Sequence, residues 1–169
     1  MIEKSLWAKL KLGVLSAPLA VVCIACASAH SVVFVLTPVP DPPANAGSST
    51  VAEADIERAA QIVGRVALAA GFKGVDPPSE DLARQLKDIY GYKEIASYRL
   101  LTGRRSVYLT VSVPNSEERI SVVIRDFDHP DETNLTRRLK LEVDRHLRDE
   151  FAGYHIEVTE SQIDASLAP

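Results

Sequence analysis

Cysteine is scarce in this 169-residue chain: there are two, Cys23 and Cys26, and none beyond them. The polypeptide after Cys26 therefore cannot lean on disulfides, and its stability must come from a core of its own. A basic excess is missing too. Nineteen Lys and Arg face 23 Asp and Glu, a net charge of −4, which argues against a nucleic-acid partner. A composition of 46% hydrophobic and 25% charged residues excludes wholesale disorder and a multi-span membrane protein. The chain has no internal repeat, no Ser, Thr or Cys in a nucleophile motif and no glycine-rich phosphate loop. Hydrolase and nucleotide-binding readings thus start without a motif. The length suits one domain plus an appendage.

What is present is unevenly distributed. From Leu12 to Leu36 no Asp, Glu, Lys or Arg occurs. Such a run is long enough to cross a bilayer, which takes roughly 20 apolar residues. Lys4, Lys9 and Lys11 precede it, and no Lys or Arg follows until Arg58, so the positive-inside rule exports everything after Leu36. Residues 1–36 therefore read as a basic N-terminus and transmembrane or export segment, with three possible fates. It is an uncleaved signal-anchor helix; or Cys26, at the end of Ile24-Ala25-Cys26, is a lipid-attachment site; or a signal peptidase cuts at Ala25-Cys26-Ala27 or Ala27-Ser28-Ala29. Cys23-x-x-Cys26 has redox spacing but no second ligand pair, and it reads as part of this segment.

Residues 37–50 hold four of the ten prolines together with Gly, Ser and Asn, the composition of a linker holding a domain off the membrane. Residues 51–160 read as the domain itself, with a tail at 161–169. Thr50 and Glu53 suggest a capping box, and Ile56, Ala59, Val63 and Ala67 repeat at helical spacing up to Gly71. Ser79 can cap a second helix with Leu82, Leu86, Ile89 and Tyr90 on one face, ending at Gly91. The period then changes to two: Ile95–Leu101, Val107–Val113 and Ile120–Ile124 predict three strands joined by turns at 102–104 and 114–117. A long helix with Leu135, Leu139, Val143, Leu147 and Phe151 in one stripe follows, then a short strand at Ile156 and Val158. The order α-α-β-β-β-α-β predicts an α+β fold, a two-layer sandwich on a four-stranded, mainly antiparallel sheet.

The densest polar cluster is Asp126-Phe127-Asp128-His129-Pro130-Asp131-Glu132. Asp126, Asp128, His129 and Asp131 are candidate ligands for a divalent cation, because carboxylates suit hard ions and an imidazole suits transition metals. The competing reading is that acids gather at a helix N-terminus, with Asp131 or Thr133 as the cap. His146 borders the apolar stripe of the long helix, and His155 shares a strand face with Glu157, positions that read as structural or solvated. Arg99, Arg104, Arg105, Arg119 and Arg125 could line the solvent face or turns of the meander near Tyr98 and Tyr108 as an anion platform. Interleaved acids and the net negative charge favour a mixed solvated face instead. Asn134-Leu135-Thr136 matches a glycosylation sequon but falls in a first helical turn.

The layout of basic start, apolar segment, Pro-rich spacer and small α+β domain resembles small bacterial membrane-anchored envelope proteins, including lipoproteins. Ile24-Ala25-Cys26 is similar to their lipobox, with Cys23 where the motif usually has Leu. The resemblance implies diacylglycerol on Cys26 and a periplasm-facing domain, and it implies no activity. The function expected is a membrane-tethered, non-catalytic binding or accessory module of the cell envelope, with no cofactor and another envelope protein as its partner. The alternative is a metal-dependent enzyme or metal sensor using the 126–132 loop. A further route to a partner is the Ala- and Ser-rich face of a transmembrane helix.

Overall fold

The computed structural model describes residues 29–39, 50–77, 79–103, 105–127 and 129–163. In chain order these form β1 (Ala29–Pro38), α1 (Glu53–Ala69), β2 (Lys73–Gly74), α2 (Glu80–Tyr90), β3 (Tyr92–Thr102), β4 (Arg105–Pro114), β5 (Ile120–Asp126), α3 (Asn134–Glu150) and β6 (Tyr154–Ile163). The class is α+β. The sheet has six strands in the order β2-β3-β4-β5-β1-β6, every neighbouring pair antiparallel. Within it, β1-α1-β4-β5-α3-β6 with spatial order β4-β5-β1-β6 is a split βαβ, ferredoxin-like arrangement. The segment β2-α2-β3 is inserted between α1 and β4 and widens the sheet beyond β4.

The sheet therefore has six strands rather than four, and the largest difference lies at its centre. Residues 29–36, which close the apolar run read as a membrane segment, form most of β1. This strand pairs with β5 from His30↔Asp126 to Leu36↔Ile120, and with β6 from Ala29↔Ile163 to Pro38↔Tyr154. An interior strand with helices over one face and Val33 and Val35 on the other shows no polar alternation there, so its composition equals that of a membrane helix. Val32, Phe34 and Leu36 are fully buried towards the helices, while Val33 and Val35 are half-buried on the other face. The Pro-rich segment after β1 consequently connects two elements of the fold. At its flanks the Val39 N–H donates to the Gly153 carbonyl and the Val51 N–H to the Glu117 carbonyl. The folded unit thus includes Ala29–Pro38 as well as the residues from 51 onward. Residues 1–28, and with them Cys23 and Cys26, lie outside the described residues, as do 164–169 of the tail. Among the described residues no helix is long and apolar enough to cross a membrane.

Both long helices pack on one face of the sheet, and their apolar residues meet those of the strands in one core. Ile62, Val63 and Val66 of α1 and Leu139, Val143 and Leu147 of α3 are buried against Phe34, Leu109, Val122 and Ile124. The expected Thr50–Glu53 capping box does not form: the N-cap of α1 is Ala52, with no side-chain cap. The C-terminal end closes as expected. Gly71 takes φ +86°, its N–H donates to the Leu68 carbonyl, the Phe72 N–H donates to the Ala67 carbonyl, and the Phe72 ring is buried. In α3 the cap is Thr133, in a capping box with Thr136. In α2, Ile89 is 71% exposed rather than on a packed face, because this helix sits beside β3 at the margin of the sheet. The last strand, expected to be short, runs ten residues because β1 supplies a partner along its whole length.

Candidate functional site

Since α1 and α3 cover one face, the side chains that alternate with the core residues stand on the other. Register fixes this second face. Ser97 of β3 stands opposite Thr110 of β4, which stands opposite Val123 of β5, which stands opposite Val33 of β1. One row further along come Arg99, Tyr108, Arg125 and Ser31. A bulge at Glu94/Ala96 keeps Glu94, opposite Ser112, on the same face. These rows floor an open groove of about 850 Å³ that runs from Tyr92, Glu94 and Arg119 at one end to Arg125, Tyr108 and Phe127 at the other.

The floor is polar but mostly uncharged. Ser97 Oγ and Thr110 Oγ1 are 3.3 Å apart, and Ser112 and Ser121 continue the line of hydroxyls. At the far end Tyr108 and Phe127 meet edge to face, with centroids 5.4 Å apart, and the Arg125 guanidinium lies 5.7 Å from the Phe127 centroid. Arg125 Nε is buried without a hydrogen-bond partner, and the guanidinium joins no ion pair among the described residues. At the near end, desolvation raises the pKa of Glu94 above its ordinary value. A surface of this make-up can hold an anionic group and bond to a polar chain.

Asp126 ends β5 with its side chain fully buried on the helix face. It accepts from Arg105 Nη2 at 2.5 Å and Nε at 3.2 Å, and the same Nη2 donates to Thr133 Oγ1 at 2.5 Å. The carboxylate is thereby bound into the start of α3. His129 is exposed, Asp131 is exposed and accepts from Gln162 Nε2 at 3.0 Å, and Asp128 lies outside the described residues. Among the described residues, no three His, Cys, Asp or Glu side chains gather as metal ligands. Next to Asp126, across the β1–β5 pair, His30 is 5% exposed, and its Nε2 lies 3.9 Å from Glu160 Oε2, which completes a polar cap over this end of the core. Lys140 of α3 also pairs with Glu160.

Of the five arginines noted in the sequence, Arg125 and Arg119 line the groove, Arg99 shares the face, Arg105 crosses to Asp126, and Arg104 lies outside the described residues. Strand alternation around Val107–Val113 and Ile120–Ile124 already placed Tyr108, Thr110, Ser112, Ser121, Val123 and Arg125 on one face. What it could not show was that α1 and α3 pack on the opposite face and leave a groove on this one.

No known family profile matches the chain, and no curated protein is significantly similar to it. Among solved structures, two amidases of the hydantoinase/carbamoylase family share weak similarity. The one from Burkholderia multivorans has 14% identity and a TM-score of 0.31, over 81% of this chain and 28% of the amidase. The one from Burkholderia vietnamiensis has 12% identity and a TM-score of 0.36, over 86% of this chain and 32% of the amidase. The chain spans about a third or less of the length of these proteins, and a likeness at this level carries no argument about activity.

Proposed function

We propose that this protein is a membrane-tethered, extracytoplasmic binding module of the cell envelope, without catalysis of its own, that recognises a partner protein through the open face of its sheet. The observation that carries the reading is one-sidedness. Two helices pack over one face, and the other holds a long groove with a hydroxyl floor and an arginine that forms no ion pair among the described residues. Concave surfaces with a few convergent polar groups are where ligands bind.

The tether rests on the sequence. With residues 29–36 committed to β1, the uncharged run that remains is Leu12–Ser28, at the short end for a bilayer span of roughly 20 residues. It suits the apolar part of a signal peptide followed by processing, and processing before Cys26 or after Ala27 keeps the whole of β1. Lipid attachment at Cys26 is the anchor we favour over a signal-anchor helix. The metal-dependent alternative, using Asp126, Asp128, His129 and Asp131, has weaker support because Asp126 is engaged by Arg105.

A photo-crosslinking residue at Thr110, on the groove floor, compared in intact cells with one at Arg138 on the exposed side of α3, tests the reading. Adducts from Thr110 and none from Arg138 support it. Adducts from both alike, or from neither, count against it. The intact mass of the membrane-extracted protein, beside Cys26→Ser, tests the anchor: a chain starting at acylated Cys26, lost in the variant, is expected.

A further inference from the structure

Six arginines of the described residues sit in ion pairs: Arg58, Arg65, Arg84, Arg105, Arg137 and Arg148. None of them lies on the open face. The three that do, Arg99, Arg119 and Arg125, form no ion pair with a described residue, although the chain as a whole is acidic. The groove itself is lined by one acid, Glu94, against Arg119 and Arg125. Among the described residues charges are thus segregated: the arginines without an ion pair are those on the groove face and those on the outer side of α3. Unpaired guanidinium groups beside a desolvating aromatic wall are what an incoming carboxylate would complete.

The spacing adds a length. Arg119 and Arg125 are six residues apart on one extended segment, about 20 Å at the rise of a strand. Between them Ser121 and Val123 follow at two-residue intervals, flanked by Ser112 and Thr110. An extended peptide lying along this floor has the same period, so its alternate side chains and amides meet the hydroxyls in step. A nucleic acid fits less well, because Tyr108 and Phe127 are packed edge to face on each other beneath Arg125 and are not free to stack on bases.

Building on the binding-face reading above, we infer that the groove takes an extended acidic peptide segment of a partner, with carboxylates at its two ends held by Arg125 and Arg119 and its backbone bonded to the Ser/Thr floor. The segment is about seven residues long.

The probe is a fluorescein-labelled heptapeptide library with glutamate at both ends and random residues between, amidated at the C-terminus, and the same library with glutamine at both ends. Fluorescence anisotropy is read on the detergent-extracted full chain. The glutamate library should bind at least about tenfold more tightly, with a preference that weakens as salt is raised. Arg125→Gln and Arg119→Gln should each reduce the preference, and the double variant should erase it. Arg119 is exposed, so its variant cannot fail merely by unfolding. Equal binding of the two libraries, a preference that survives in the double variant, or tighter binding of a single-stranded oligonucleotide overturns the inference. If Thr110 crosslinks form in cells but neither library is preferred, the binding face stands and the acidic ligand falls.

Discussion

The phenol oxygen of Tyr98 stands 2.6 Å from the point that a β-carbon on residue 64 would occupy. Gly64 is buried in the middle of α1, where glycine costs about 1 kcal/mol against alanine, so its place there is explained by this close passage of β3. Gly64→Ala should gain helix propensity yet lose more to the displaced tyrosine, for a net loss of about 1 kcal/mol. In a Tyr98→Phe background the same substitution should be neutral or stabilising. Denaturant midpoints of the two single variants and the double variant check this, and an equal loss in both backgrounds would count against it.

Asp126 and Arg105 form the buried ion pair of the fold. Arg105→Met strands a carboxylate with no solvent exposure and should cost about 3 kcal/mol or more. Asp126→Leu combined with Arg105→Met should recover most of that loss, because two apolar groups need no partner. The same melts with Ca²⁺, Mg²⁺, Mn²⁺ or Zn²⁺ added should show no rise in Tm, whereas a cation site on this loop would raise it.

Glu94 adds a pH dependence. Its pKa is raised on folding, so the neutral form fits the fold better. The sign follows: its contribution is fully present below the ordinary value of 4.5 and is lost as pH rises through the higher folded value. Glu94→Gln removes that loss. The difference in Tm, variant minus wild type, should therefore grow between about pH 4 and pH 7. A difference that is flat with pH would contradict it.

Tyr154 of β6 donates to Asp55 Oδ2 of α1 at 2.7 Å and stacks edge to face on Phe151. Burial first, then the bond to Asp55, pushes its pKa up to about 12. Tyr154→Phe should cost about 1 kcal/mol at neutral pH, and one tyrosine that ionises late in an ultraviolet titration should disappear in the variant. The stabilisation in the wild type is whole below the ordinary value of 10.0 and is lost as pH rises from there through about 12.

Phe34 separates a strand from a membrane segment. In β1 it is fully buried against α1 and α3, so Phe34→Ala should cost about 3–5 kcal/mol. In a lipid-facing helix the same change would leave the stability of the domain untouched.

Much of the architecture was legible locally. Alternation over Val107–Val113 and Ile120–Ile124 marked two strands, the spacing of Leu139, Val143 and Leu147 marked α3, and Gly71 marked the end of α1, because each pattern records a one-sided environment. β1 was hidden for the opposite reason. With strands on both sides, helices over one face and Val33 and Val35 on the other, it lacks a polar side, and its apolar sequence runs on from the uncharged residues before it without a break. The pairing of Asp126 with Arg105 was not legible, because Arg105 is 21 residues earlier in sequence and meets it only through the β4–β5 pairing. The place of Arg125 was not legible, since sequence shows the acids near it along the chain but not which face of the sheet they occupy.

The place of β1 also governs when the fold can form. It is the first strand to be synthesised, yet Val32 pairs with Ile124 on one side and Glu160 on the other. Its partners do not exist until nearly the whole chain has been made, so a nascent N-terminal part has nothing to fold against. Closing such distant pairings is slow. The topology that makes β1 central thus makes the first strand of the fold wait for the last before both of its edges are paired.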